Sequence, residues 1–504
     1  MMKFSAPPCR FWVSGLMALL LLWGVVLRLN NLDQKSLWSD ELFTLGMAKY
    51  QHLLPNDGQP LYRQIKVHEI SDKDTFLTAK AAEQSPPLND LLEKAALNLP
   101  IRLELAARLP AALSSCLLLF WFAAFAWRHP DVQVRRALKW ALVLLALHPS
   151  LVMYAREGRA YSLAVSLAGM GGLLWLLRWR NGWRAWQPPG WAEITLFTLA
   201  CYSHYNAALL VAMLLSADAV MATKTKSGKT WLRLLTLGFA FSIWLALNAH
   251  AILFTAQGGV AWSNQSMGER MPNAPQDVIT ALHIPWLIFG LGLGGCLLLY
   301  FRQQGTVRWF GDSGVCFWTL GAIALVYSVL SVMMVSKAGM GHPRYYIFVI
   351  PLLSVMMGLA LAEVRQRWLA VCAIASLVFL STPTARFMDS LGHHEFRMMS
   401  WTAARGANER TQFLFPVEAN SNFYRQYLER FLAQDPLERM TGITFAEQIP
   451  QVCEKLKPYK HVVVVSHGSG RGLIEIVYQT CGSQWPMREQ HEFSQAFSEH
   501  WRAP

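Results

Sequence analysis

The sequence predicts an α-helical membrane protein with about eleven transmembrane helices and a small α/β extracytoplasmic domain at the C-terminal end. Three observations carry this. Apolar residues make up 53% of 504 residues and Asp, Glu, Lys and Arg only 15%, against roughly 25% charged in an average soluble domain. The apolar residues gather in runs long enough to span a hydrocarbon core. The net charge is +13, and in alternate short connecting loops Lys and Arg far outnumber the acids, as in cytoplasmic loops. With a mean hydropathy of +0.25, this excludes a disordered chain, a collagen, a coiled coil and a basic nucleic-acid-binding domain. Eight Cys are too sparse for a disulfide scaffold, and no CxxC pair suggests zinc or redox chemistry.

The first run, Phe11 to Leu27, follows Lys3 and Arg10. No small-x-small cleavage site comes after it, so it reads as an uncleaved helix with its N-terminus inside. Further runs lie at about 105–127, 137–153, 160–177, 191–206, 206–222, 231–253, 279–301, 314–335, 345–362 and 368–383. With the N-terminus inside, the inner loops hold fifteen basic residues, from Arg128 to Arg367, against three acids, Asp131, Asp312 and Glu363. One misread segment would exchange inside and outside for everything after it, so the agreement supports the whole alternation. Eleven crossings put the C-terminus outside.

Two large pieces face outward. Residues 30–104 join the first two helices, and within them SPPLNDLLEKAALNLP sets Leu88, Leu91, Leu92, Ala95, Ala96 and Leu99 on one stripe. That helix either lies in the membrane interface or packs on the bundle. Residues 384–504 carry more charge and no spanning run. In them, RTQFLF and KHVVVV read as strands, and FYRQYLERFL, FAEQIPQVCEKL and GLIEIVYQTC as helices. The expected organisation is a transmembrane domain over 1–383, including the 30–104 loop, and an outer α/β domain over 384–504. Cys453 and Cys481 are the only cysteines expected on the outer face, where they share an oxidising compartment and can pair. KTKSGKT lacks the P-loop spacing and reads as a topology-setting basic loop.

Four polar clusters stand out, all at outer helix ends. LWSDELF holds Asp40 and Glu41 beside Leu37 and Trp38. A carboxylate there can take a proton from a hydroxyl; the alternative is a helix N-cap or a solvated loop. MYAREGRAYSL holds Arg156, Glu157, Arg159 and Tyr161. Arg is unusual in an outer loop, and its forked donors suit a phosphate; the alternative is an ion pair with Glu157 that fixes the loop. CYSHYN holds His204 between Tyr202 and Tyr205, either functional or a structural histidine. GMGHPRYYIFVIP holds His342, Arg344, Tyr345 and Tyr346, or else marks an interfacial aromatic belt with a snorkelling Arg. Together they supply a base, a phosphate clamp and aromatic surfaces, which suits moving a group from a phosphate-bearing lipid onto a hydroxyl. Asp218 and Glu193 lie toward inner helix ends and read as structural or interfacial.

On these residues the chain resembles the polyprenyl-phosphate-dependent glycosyltransferases of the GT-C superfamily. The nearest likeness is the bacterial branch of glycosyltransferase family 39, akin to protein mannosyltransferases and the lipid A aminoarabinose transferase. RLNNLDQKSLWSDELFTL, SPPLNDLL, ELAARLPAALSS, HPSLVMYAREGRAYSLAV, CYSHYNAALLV and HPRYYIFVIPLL appear in the family's order across most of residues 25–360. The resemblance implies an outward-facing catalytic cavity in a multi-pass protein of the bacterial inner membrane, with its C-terminus in the periplasm. It implies a sugar donor on a polyprenyl monophosphate and a hydroxyl acceptor on an envelope lipid, glycan or protein. The family's first-loop acid maps onto Asp40, with Glu41 beside it, and its phosphate-side basic residues onto Arg156, Arg159 and Arg344. Tyr161, His204 and Tyr345 complete the expected substrate site. The segment REGRAY departs from the family in placing Gly158 where Ala is usual. No spacing demands a metal, and no cofactor is required on this reading, although a divalent ion is compatible with it. Three rival readings are a flippase for a lipid-linked sugar, which should set its polar residues at the bilayer midplane, a transferase of a non-sugar group, and a non-catalytic membrane scaffold, which leaves LWSDE and REGR unexplained.

Overall fold

The computed structural model describes residues 8–49, 85–179, 187–247, 327, 343–363, 396–405, 407–408, 410–415, 424, 427–432, 440–442, 449–467, 471–493 and 496–503. Its contacts divide the chain into two units. One comprises Met1–Leu32, Glu83–Leu92 and Arg108–Ser390; the other comprises Asp33–Ala82, Glu93–Ala107 and Leu391–Pro504. Parts of the segment between the first two helices, Asp33–Ala82 and Glu93–Ala107, thus group with the C-terminal residues.

The helical unit is built on α1 (Pro8–Leu29), α4 (Leu103–Arg128, from Arg108 onward), α5 (Val132–Leu147), α6 (Pro149–Ala155), α7 (Ala160–Trp179), α8 (Trp191–Cys201), α9 (Tyr205–Thr225), α10 (Gly228–Leu247) and α11 (Ile350–Glu363). Of the described helices, α4, α7 and α9 are long and apolar enough to cross a membrane, and α5 with α6 qualifies as one broken span bent by 57°. The run expected at 137–153 is thus two helices. Pro149 lacks an N–H and its ring opposes the carbonyl four residues back, while His148 before it is extended, at φ −63° and ψ 118°. The run at 345–362 also differs: it starts as 3-10 turns at Pro343–Tyr345 and Ile347–Val349 before α11 begins. The expected spans at 279–301, 314–335 and 368–383 lie outside the described residues, apart from Tyr327.

Close packing follows from small residues at helix crossings. A Cβ on Gly24 would sit 2.7 Å from that of Ala146, and one on Gly358 would meet the backbone of Ala137 and Ala141. Outward, Leu232, Leu235, Phe239 and Ile243 leave an exposed apolar stripe along α10. Three buried charges are paired with one another. Arg178 bonds both Glu193 (2.7 Å) and Asp218 (2.6 Å), and Trp175 and Trp179 each donate to Asp218 at 3.1 Å. This is the structural role expected for the two acids.

The α/β unit has a five-stranded sheet in the order β2-β1-β3-β5-β4. The strands are β1 (Thr411–Phe415), β2 (Met440–Gly442), β3 (His461–His467), β4 (Met487–Phe493) and β5 (Ala496–Arg502). β1 runs parallel to β2 and β3, and β4 and β5 add an antiparallel hairpin. Three helices of this part are α12 (Phe396–Ala404), α13 (Ile449–Leu456) and α14 (Arg471–Cys481). A disulfide joins Cys453 to Cys481, the pair expected from the sequence, with the Cα atoms 5.7 Å apart. The helix α2 (Ser39–Lys49) belongs to this unit's core. Its Leu42 and Leu45, with Leu37 before it, pack with Met399, Ala403, Phe413, Tyr424 and Leu428.

The amphipathic segment after Pro87 is α3 (Leu88–Leu97), and the unit division falls within it. Asn89, Asp90, Glu93 and Ala96 are buried in it while Leu91 and Leu92 are exposed, and Leu88 packs against the helical core.

Candidate functional site

In the helical unit, three chain turns converge on one ring cluster. α6 is seven residues long and ends at Arg156, whose backbone N–H bonds the Met153 carbonyl. The Arg159 N–H closes the turn onto the Glu157 carbonyl at 2.8 Å, and α7 then places Tyr161 in its first turn. The second turn is Tyr202–His204. His204 is the N-cap of α9, and its Nδ1 accepts the Asn206 N–H at 3.1 Å. A ring nitrogen that accepts carries no proton, so the imidazole is neutral and presents its N–H from Nε2. The third is the 3-10 segment with Arg344 and Tyr345. The Tyr345 carbonyl accepts from the Tyr327 hydroxyl at 2.9 Å and from the Asn206 amide at 3.4 Å.

These turns bring together Arg159, Tyr161, His204, Arg344 and Tyr345. The Tyr161 ring centroid lies 5.0 Å from that of His204 and 6.3 Å, edge-on, from that of Tyr345. The guanidinium carbons of Arg159 and Arg344 lie 5.9 and 5.4 Å from the same Tyr161 centroid, and that of Arg344 also lies 5.5 Å from the Tyr345 ring. Such distances hold a cation against an aromatic face. Arg344, Tyr161 and Tyr345 are buried, and Arg156 is half-buried at the end of α6. Two more rings belong to the cluster and were not singled out in the sequence: Tyr154, 5.6 Å from Tyr161, and Phe348, 5.2 Å from His204. Both lie inside the motifs that carry the other members. His342 lies outside the described residues.

The acidic pair is in the α/β unit, at the start of α2. Glu41 is fully buried, and its Oε2 accepts the Trp38 N–H at 3.1 Å. That is the return arm of a capping box, in which a carboxylate at the third helical position satisfies the N-cap amide. Asp40 precedes it in the first turn of the helix; its side chain lies outside the described residues. Among the described residues no group of three or more His, Cys, Asp and Glu is arranged to hold a metal ion.

The α/β unit has a second polar cluster, buried in its sheet. His461 Nε2 and His500 Nδ1 lie 3.2 Å apart, and His461 Nδ1 is 3.1 Å from the Thr411 hydroxyl. Burial, then each other's charge and that of Arg502, pushes His461 down to about 4. Burial, Arg502 and His491 push His500 down to about 4, against smaller upward pulls from Glu489 and the Thr402 backbone.

No protein-family model matches the sequence, and no curated protein sequence matches it. Solved structures do. ArnT from Cupriavidus metallidurans in the apo state superposes with a TM-score of 0.59 at 14% identity, covering 97% of this chain and 98% of that one. The same protein bound to undecaprenyl phosphate gives a TM-score of 0.56 at 13% identity over the same shares.

Proposed function

From the fold that this chain shares with ArnT over nearly its whole length, we propose that it is a membrane glycosyltransferase. It moves a sugar from a polyprenyl-monophosphate donor to a hydroxyl on the outer, periplasmic face of a bacterial inner membrane. The proposal includes about eleven crossings, a cytoplasmic N-terminus and a periplasmic C-terminus. The observation that carries it is the pair of guanidinium groups, Arg159 and Arg344, set around one Tyr161 ring beside the His204 Nε2–H. The forked donors of two Arg side chains suit a phosphate anion. Rings beside that anion suit a sugar or an isoprenoid. The likeness to an ArnT structure bound to undecaprenyl phosphate agrees with this ligand class.

In the proposed reaction the acceptor hydroxyl loses its proton to Asp40 as its oxygen attacks the anomeric carbon. The bond from that carbon to the phosphate oxygen breaks. The negative charge that gathers on the leaving lipid phosphate is met by Arg159, Arg344 and the His204 N–H, with Arg156 at the rim. One displacement inverts the anomeric carbon. A phosphate monoester leaves as a stable anion, so a general acid is not required. Glu41 keeps α2 closed at its first turn, so its carboxylate acts on the placement of Asp40 and not on the substrate.

The test is to incubate the purified protein with synthetic undecaprenyl-phosphate-linked sugars and envelope lipid, and to separate the lipid products by chromatography. Release of undecaprenyl phosphate together with a glycosylated acceptor supports the proposal. Flipping of the donor across vesicles with no cleavage would replace it with the transporter reading.

A further inference from the structure

We propose that Arg397 and Tyr427, from the C-terminal part of the chain, are positioning residues for the segment that carries Asp40. The proposal rests on the reading of Asp40 as the base, and concerns how a loop residue is held accurately enough to act as one.

The segment before α2 has little regular structure of its own, and an outer loop of that kind is by default mobile. Here it is fixed at four successive points. The Arg397 guanidinium donates to the Asp33 carbonyl (3.2 Å) and the Gln34 carbonyl (2.7 Å), and the Arg397 backbone N–H donates to Ser36 Oγ (3.1 Å). The Leu37 N–H donates to the Tyr427 hydroxyl at 2.8 Å. The holders are themselves held. Glu104, almost fully buried, bonds Arg397 at 3.0 Å, the Tyr427 hydroxyl at 3.4 Å and Arg430 at 3.4 Å. Leu37 and Tyr427 are both fully buried in the same core as Leu42 and Leu45. From residue 33 to residue 37 the chain before Asp40 is therefore held by residues more than 350 positions later, and Leu42 and Leu45 after it pack in the same core.

This matters because proton transfer needs the carboxylate within hydrogen-bond reach of the acceptor hydroxyl. A misplacement of about 1 Å can cost about 100-fold in rate. The fork of Arg397 reaches two carbonyls and a carboxylate at once, which the single ammonium of a Lys cannot do.

The experiment compares Tyr427→Phe, Arg397→Lys and Arg488→Ala in the full-length protein with the best undecaprenyl-phosphate sugar donor. Arg488→Ala is the control, because Arg488 ties Glu475 and Glu499 together in the same unit but is not among the residues that hold segment 33–41. Expected are kcat losses of about 10- to 100-fold in Tyr427→Phe and Arg397→Lys, with donor KM unchanged, and a wild-type kcat in Arg488→Ala. Hydrogen–deuterium exchange should show faster exchange at Leu37 in Tyr427→Phe. Equal kcat in all three variants would overturn the positioning role, as would a loss in Arg488→Ala matching the other two. If the wild-type protein turns over no donor, the functional reading fails, and the exchange measurement still decides the positioning one: unchanged protection at Leu37 would refute it.

Discussion

The Arg28 guanidinium takes the Leu145 carbonyl at 2.8 Å, the carbonyl that Pro149, four residues on, leaves without its helical donor. The same group bonds the Ala146 carbonyl at 2.7 Å, the Gly24 carbonyl at 2.8 Å and Ser115 Oγ at 2.8 Å. A fully buried cation thus completes the break between α5 and α6, and α6 leads straight to Arg156 and Arg159. Arg28→Ala strands two buried carbonyls, each worth about 1–3 kcal/mol. It should lower the thermal midpoint of the detergent-solubilised protein markedly, with Arg28→Lys intermediate. A midpoint equal to wild type in Arg28→Ala would show that the break is held by other means.

Asp40→Asn should fold as the wild type and lose transfer by about 10²- to 10⁴-fold, because an amide cannot accept the proton. Glu41→Gln should do less harm: a neutral amide oxygen can still accept the Trp38 N–H. Purified Asp40→Asn turning over at the wild-type rate would remove Asp40 from the mechanism.

Much of the helical unit was legible, because spans declare themselves by apolar length: α4, α7 and α9 each lie within a few residues of the run that announced them. The break at Pro149 was written in the sequence but masked by the apolar residues on both sides. The hairpin β4–β5 was not legible, since its buried residues include polar ones. Ser498, Glu499 and His500 are nearly inaccessible, and Glu499 is satisfied by Arg488 and by the Trp501 N–H. Each site cluster was visible as a local motif, and a shared site was expected from the topology; the particular contacts were not legible. Nothing local in HPRYYIF says that Arg344 meets Tyr161, and nothing in FRMMSW says that Arg397 meets Glu104, 293 positions earlier.

The Cys453–Cys481 bond closes a separation of 28 residues. In the loop-entropy account it contributes about 3–4 kcal/mol. The double Ser variant should melt the α/β unit at a lower temperature than the oxidised wild type, and a reductant should lower the wild type to the same value. Identical melting with and without reductant would mean that the bond adds nothing to stability.

The His461–His500 pair makes the α/β unit acid-sensitive. Both folded-state values lie near 4, below the about 6.5 of an unfolded-state His. The unfolded chain therefore binds more protons between those values, and stability falls as pH drops from about 6.5 toward 4. Above that window the pair has no effect. His500→Asn, which removes one titrating ring, should flatten the slope of melting midpoint against pH in that range. A slope unchanged by the substitution would assign the acid sensitivity to other groups.

The most direct test of the lipid-phosphate site is native mass spectrometry of the purified protein with undecaprenyl phosphate and, separately, with undecaprenol, which has the same chain and no charge. The account predicts a one-to-one adduct with undecaprenyl phosphate that survives at collision energies that strip undecaprenol. It predicts loss of that adduct in the double variant Arg159→Ala/Arg344→Ala. Equal retention of the two lipids, or an undiminished phosphate adduct in the double variant, would contradict it.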